Sequence, residues 1–487
     1  MRAIDFSDDR LGGVLRRLSD DHCWFALEAD LWLATVVVHQ IELAGVRLDS
    51  TTSYGHHQPQ DEGLMQYGHS KDHRPDLAQL KLMAAAAEPC GHLIASDVHS
   101  GQRADDLLYI PLIQRLREIL RQNGLLYTGD CKMAALAIRG EIAAHQDYYL
   151  MPLALTGNTA QDFETWVNAA VEGVQITTLI WDAKHLLGGG YEFERQQTAT
   201  VDNQEVTWTE RVQIVRSLSL AQRLKANLEE RLGEATTQLL ALTPSLGRGR
   251  RQIRSLVSLQ EQIAQVLQRY RVNGLLVVSW QRLETSVTRY RGRGRGGPNR
   301  ATSTKVQVRY SITEVQRQSD AIALESYRLG WRVQVTNAPA NQLTLSQAVC
   351  HYRGGWCLER DFHLVKDLPL GLSPLFVCKD DQIKGLTRLL TVALRLLTFI
   401  EIEIRQGLRV GNEAITGLYE GQPKRETERP TGKRILKAFA RDQITLTRVE
   451  VGNDIHYHVT PLPPLHQKLL GYLKLPESLY TALAKNS

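Results

Sequence analysis

The sequence predicts a mixed α/β fold whose architecture changes midway, on three observations. Short apolar runs bounded by turn residues recur between Val46 and Thr128. Helical patterns fall before and after the last of these runs. From about residue 175 long helical periodicities and new strand-like runs replace that rhythm. Strand, strand, strand, helix, strand, helix, strand is the order of a mixed sheet that starts with an antiparallel meander.

Residues 1–40 read as helical, with Leu15, Leu18, Trp24, Leu27, Leu31 and Val36 at helical spacing. Val46 to Leu48 form a short apolar run ending at Asp49. Leu77 to Ala86 and His92 to Val98 read as strands joined by the turn Pro89, Cys90 and Gly91. Asp105 and Asp106 open a helix that runs through Leu120, with acids suited to the positive end of its dipole. Asn123-Gly124 stops it, and Leu125 to Thr128 give a fourth strand that leads to Asp130. A helix over Lys132 to His145 and an apolar run over Tyr148 to Leu155 follow.

Val174 to Trp181 has strand character. Glu210 to Leu242 and Gln252 to Tyr270 carry helical periodicity and, with the turn Pro244 to Arg250, form a helical hairpin. Leu275 to Trp280, Lys305 to Thr313 and Trp331 to Thr336 read as strands, and Tyr290 to Arg300 as a low-complexity loop. Helix returns over Leu343 to Lys366 and Asp381 to Arg405.

Composition sets wider bounds. The 487 residues are 43% hydrophobic and 23% charged, enough apolar content for a sizeable core. A net charge of +5 permits an acidic partner without demanding one. The cysteines (Cys23, Cys90, Cys131, Cys350, Cys357, Cys378) form no C-x-x-C pair and imply reduced thiols of an intracellular protein. The polar opening MRAIDFSDDR has no apolar segment of a signal peptide. Gly385 to Ile404 is apolar, yet Arg388, Arg395, Glu401 and Glu403 mark it as a core helix rather than a membrane span.

Two aspartates follow short strands directly: Asp49 after Val46-Arg47-Leu48, and Asp130 after Leu125 to Gly129. Strand ends in α/β sheets are where ligands bind. Neighbouring carboxylates there ionise together only with a cation between them, and hard oxygen ligands suit Mg²⁺. A lone Asp at such a position is more often a polar strand terminator. Tyr352, Glu359 and Lys366 are spaced by sevens. On one continuous helix they share a face, an acid flanked by a phenol and an ammonium. The competing reading is an amphipathic helix with a solvated charged edge.

The run Tyr352 to Asp367 (YRGGWCLERDFHLVKD) resembles the Y-(2)-R-(3)-E-(6)-K signature of the insertion-sequence DDE transposases. Tyr352, Glu359 and Lys366 match it; at the arginine position stands Gly355, and Arg353 lies on another side of the helix. The surroundings of Asp49 (LDSTTS) and of Asp130 (LYTGDCKM), Gly68 to Asp76 (GHSKDHRPD), Ser100 to Asp106 (SGQRADD) and Thr336-Asn337 also resemble that family. These stretches fall in the family's order over most of the chain, from about residue 5 to 480.

The resemblance implies a ribonuclease-H-like mixed sheet with a large inserted α+β domain before the last catalytic helix. Glu359 stands 229 positions after Asp130, far more than a compact core of that kind needs. The implied divisions are a helical segment 1–40, catalytic core 41–174, insertion 175–342, catalytic core 343–410, and a DNA-contacting or dimerising tail 411–487. Asp49, Asp130 and Glu359 would hold two Mg²⁺ ions, with Mn²⁺ able to substitute, and catalyse DNA cleavage and strand transfer. Tyr352, Lys366, Lys71, His73, Arg74, Lys424 and Arg425 would contact DNA. The expected partner is double-stranded DNA, both terminal inverted repeats and target, bound by a homodimer of a prokaryotic cytoplasmic protein without membrane or small-molecule partner. Two alternatives remain: a decayed or repurposed DNA-binding protein of the same fold, and a general nuclease of that fold. His456 and His458 read as structural rather than as a zinc pair, and Trp181 as a candidate for stacking on a flipped base.

Overall fold

The computed structural model describes residues 7–479 apart from 248, 292–298, 300, 442, 443 and 453. Two compact units divide the chain. The first comprises Met1–Ala154, Glu194–Val212 and Val335–Ser487; the second comprises Leu155–Phe193 and Gln213–Gln334.

The first unit is mixed α/β around a mixed sheet. Its strands β1 (Gly45–Gly55), β2 (Ala78–Glu88), β3 (His92–Ser100), β4 (Leu126–Thr128) and β5 (Tyr148–Pro152) lie side by side in the order β3-β2-β1-β4-β5. β1, β2 and β3 form an antiparallel meander, and β4 runs parallel to β1 with Val46 opposite Tyr127 and Arg47 opposite Thr128. β2 (AQLKLMAAAAE) is buried along its whole length. Both of its faces are covered, so apolar and polar residues do not alternate. Leu80, Leu82 and Ala84 on one face pack against Leu358, Phe362, Val365 and Leu394.

Helices Asp8–Ser19 and Asp21–His39 replace the single helical segment expected over 1–40. The break falls at Asp20, whose carboxylate accepts the Cys23 N–H at 2.8 Å and so caps the second helix. Its Glu28 is fully buried and pairs with Arg395 of the long helix Asp380–Gly411 and with Arg115. Arg388 of that long helix pairs with Asp21, and Glu401 with Arg360 and Arg405. These ion pairs explain charge inside an apolar helix. No helix among the described residues is long and apolar enough to cross a membrane. The C-terminal residues Ile415, Ile435 and Leu469 pack on Ile404 and Leu408 of the same helix.

The second unit has its own core, where Leu228, Leu232 and Leu239 of helix Leu218–Ala241 meet Ile263 and Val266 of helix Leu256–Arg269 and Leu276 and Val315 of a long two-stranded ribbon. That ribbon pairs Leu276–Tyr290 with Thr302–Arg317, longer on both strands than the sequence pattern implied. The loop expected over Tyr290 to Arg300 lies largely outside the described residues.

Three expectations need correction. Glu210 to Ser217 is not helical but ends the strand Gln204–Ser217, where β-branched Val212, Ile214 and Val215 are buried. The helix expected from Lys132 begins at Leu136, because Asp130 Oδ1 accepts the N–H groups of Lys132 and Met133 and folds that stretch into a turn. The helix expected over Leu343 to Lys366 is two helices, Leu345–Arg353 and Trp356–Lys366, parted at Gly354-Gly355. Two adjacent glycines weaken helix propagation, and their N–H groups bond three residues back, to His351 and Tyr352.

Candidate active site

β1 and β4 are adjacent and parallel, so Asp49 and Asp130 emerge from neighbouring chain segments. Their charges interact. Burial pushes the Asp49 carboxyl above its ordinary range; the Asp130 charge adds to this and the Lys71 ammonium opposes it. Lys71 Nζ lies 3.4 Å from Asp49 Oδ1 and 2.6 Å from the Ser50 carbonyl oxygen. Asp130 is oriented by protein donors: Tyr109 Oη donates to its Oδ1 at 2.8 Å, and the Lys132 N–H does so at 2.9 Å. Burial, together with the Asp130 and Asp49 charges, raises the Tyr109 phenol far above its usual range, so it remains a donor.

The loop before β2 folds back onto β1. Ser70 Oγ accepts the Asp72 and Arg74 N–H groups, and the Lys71 N–H reaches Thr52 Oγ1 at 3.1 Å. Thr52 in turn donates to Asp72 at 3.3 Å, and Asp72 pairs with Lys366 at 2.5 Å. Lys366 is therefore tied to the strand that bears Asp49 through one carboxylate.

The other expected residues are placed as follows. Glu359 sits exposed in the first turn of helix Trp356–Lys366, whose buried side carries Leu358, Phe362 and Val365 into the core beside β2. Among the described residues, three ligand-type side-chain atoms lie within 4.8 Å of one another at Asp20, His22 and Cys23, all exposed, and not at Asp49, Asp130 and Glu359. Tyr352 does not share a helix with Glu359, contrary to the reading from spacing. It packs beside Leu150, Ala338, Leu343 and Ala348. Arg74 pairs with Asp76 at 2.8 Å, and His73 is exposed with φ 57°. Lys424 and Arg425 are exposed, with the Arg425 guanidinium 4.0 Å from the Tyr419 ring centre. His456 and His458 are exposed on the strand Asp454–Val459, and Trp181 on Thr178–Asp182.

Sequence reasoning missed Tyr109, Asp72 and Arg47. Asp72 lay inside the GHSKDHRPD run and was legible as part of it. Tyr109 and Arg47 carried no local signal, because their partners, Asp130 and Glu88, are distant in the chain.

As a donor set, two coupled carboxylates with an ammonium beside one of them fit a divalent cation site. Lys71 supplies positive charge where Asp49 needs it.

A comparison with curated proteins finds no match. Among solved structures, a cryo-EM structure of the piggyBac transposase synaptic complex with hairpin DNA is similar over 36% of this chain and 35% of that one, at 8% identity and a TM-score of 0.22. The chain thus spans about a third of the length of that transposase. The family model described as transposase DDE domain matches residues 44–396, which include Asp49, Asp130 and Glu359, and the chain belongs to that family.

Proposed function

We propose that this protein is a transposase of a prokaryotic insertion sequence that binds terminal inverted repeats and cuts and joins DNA at Asp49, Asp130 and Glu359. The observation that supports the reading is the parallel pairing of β1 with β4 within the span of the transposase DDE domain, which makes the segments bearing Asp49 and Asp130 neighbours, the Asp130 charge acting on Asp49. The core is read as ribonuclease-H-like, with the second unit inserted before the helix that bears Glu359. The chain acts as a homodimer on double-stranded DNA in the cytoplasm.

Asp49, Asp130 and Glu359 would hold two Mg²⁺ ions, or Mn²⁺ in their place. When bound, such ions supply Lewis-acid activation of a water or 3′-hydroxyl and neutralise charge at the leaving oxygen. Asp130 is aimed by the Tyr109 hydroxyl and the Lys132 N–H. Lys71 holds Asp49 and gives up that contact to a stronger cation. Lys366, held by Asp72, is a candidate phosphate contact once DNA displaces the carboxylate. Tyr352, His73, Arg74, Lys424 and Arg425 are further DNA contacts in this reading.

The test is strand cleavage of a labelled duplex carrying the element's end, with Mg²⁺ or Mn²⁺, comparing the natural chain with Asp49→Asn, Asp130→Asn and Glu359→Gln. Cleavage lost in all three variants, with DNA binding kept, is the expected result. Firm DNA binding without cleavage by the natural chain would replace this reading with that of a DNA-binding protein of the same family.

A further inference from the structure

The ribbon Leu276–Tyr290 and Thr302–Arg317 of the second unit has, over its outer part from Gln281 and Ser311 to the tip, a positive face that carries no acid. Directly paired residues of antiparallel strands project to the same side, and the side alternates along each strand. Arg289 pairs with Ser303, Val287 with Lys305, and Leu283 with Arg309, so Arg289, Lys305 and Arg309 share one face. Between Gln281 and Ser311 no Asp or Glu projects to that face. The opposite face is neutral: Arg282 pairs with Glu284 at 2.6 Å, and Trp280 meets Tyr310 edge to face at 5.6 Å between ring centres.

Among the described residues no carboxylate is paired with the basic side chains of this face. Arg289 and Lys305 are exposed and make no ion pair with another described residue, and Arg309 Nε is buried without a hydrogen-bond partner. In the sequence alone, the segment between the strands holds Arg291, Arg293, Arg295 and Arg300 and no acid. Residues 289–305 therefore hold six positive charges and no negative one, against +5 for the entire chain. Like charges gathered on one side of a ribbon destabilise it unless a polyanion lies against them. A two-stranded ribbon has the width of the major groove, whose walls are rows of phosphates.

We propose that this face of the ribbon is a contact to duplex DNA, made to the phosphate backbone and independent of sequence. The proposal rests on the reading of the chain as an enzyme acting on DNA, and it assigns part of its DNA grip to the second unit. Each basic side chain seated on a phosphate releases condensed counterions, so its removal is visible in the salt dependence of binding.

The experiment is equilibrium binding of the full-length chain to a labelled duplex of arbitrary sequence over a range of salt concentrations. Arg289→Ala/Lys305→Ala is expected to weaken binding similarly on any duplex and to reduce the slope of log K against log salt by about two. Arg289→Lys/Lys305→Arg is expected to restore the slope, and Arg282→Ala/Glu284→Ala on the opposite face to leave it unchanged. Both altered basic residues are exposed, and circular dichroism confirms that each variant is folded. An unchanged slope and affinity in Arg289→Ala/Lys305→Ala, a loss confined to one sequence, or an equal loss in the opposite-face variant would overturn the proposal while the transposase reading stands. A natural chain that binds no duplex DNA would overturn both.

Discussion

The guanidinium of Arg47 fills the space where a side chain at Gly355 would start: Arg47 Nη1 lies 3.1 Å from the Cβ position of Gly355. Arg47 comes from β1, two residues before Asp49, and is half of a closed network. Its Nε donates to Glu88 at 2.5 Å, and its Nη2 donates to the His351 carbonyl oxygen at 2.8 Å. His351 Nε2 reaches Glu88 at 2.5 Å and Thr128 Oγ1 at 3.0 Å. Three strands are thus tied to the turn between the Tyr352 helix and the Glu359 helix. At Gly355 this chain thus has an arginine from β1 packed against the backbone.

Gly355→Arg is therefore expected to destabilise the chain, since Arg47 yields only by giving up Glu88 or His351. Overpacking of this kind costs about 1–3 kcal/mol. Arg47→Ala alone is expected to cost about 3–5 kcal/mol by leaving the buried Glu88 without its guanidinium. In denaturant unfolding the double variant should be less destabilised than the sum of the two single ones. Strict additivity would mean that the residues do not compete for one space.

Tyr109→Phe removes one hydrogen bond from Asp130 and leaves the ring in the core, where Tyr109 is fully buried. Loss of an orienting partner behind a metal-ligating carboxylate costs roughly 10–100-fold in metal affinity or activity. The expected outcome is a Mg²⁺ requirement shifted upward in the cleavage assay, with DNA binding intact. An unshifted metal titration would show that Tyr109 does not position Asp130.

Glu28→Ala strands the buried guanidinium of Arg395, 5% exposed, and removes one of the two carboxylates on Arg115, which keeps Asp97 at 2.8 Å. Breaking one side of a buried ion pair costs about 3–5 kcal/mol. Glu28→Gln, which can still accept hydrogen bonds, is expected to cost less. Thermal unfolding of both variants checks the order.

Acid should destabilise the first unit through His92. Burial, followed by the positive charges of Arg395 and His39, lowers this histidine from 6.5 to about 3. The folded chain keeps it neutral while the unfolded chain protonates it. Its stabilising contribution is therefore complete above pH 6.5 and is lost progressively as the pH falls toward 3. His99, lowered to about 4 chiefly by burial, acts in the same direction. His92→Gln is expected to flatten the fall of melting temperature between pH 6.5 and 4; an unaltered profile would remove His92 from the account.

The meander, the acid-bearing fourth strand and the core character of the long helix were all legible in the sequence. Each rests on local chemistry: apolar runs closed by Pro-Cys-Gly at residues 89–91 and Asn-Gly at 123–124, and charges within Gly385 to Ile404. Asp130 was legible for the same reason, since it lies just past the fourth strand, but Asp49 was expected to end its strand and instead sits within β1, which runs on to Gly55 because it stays paired with β2 beyond Asp49. Glu210 to Ser217 was misread as helix because Val215 falls three residues before Leu218, in register with the helix Leu218–Ala241 that follows it directly.

Sequence alone thus determined which segments are apolar enough to be strands and which acids lie on or just past them. Tertiary structure decided what those acids touch. Tyr109 reaches Asp130, Asp72 holds Lys366, and Arg47 abuts Gly355 only because strands and helices far apart in the chain are packed together. The spacing of Tyr352 and Glu359 implied one shared face, but Gly354-Gly355 ends one helix before the next begins. Periodicity carries side-chain direction only along an unbroken helix, and every contact across the sheet is set by packing that no local pattern encodes.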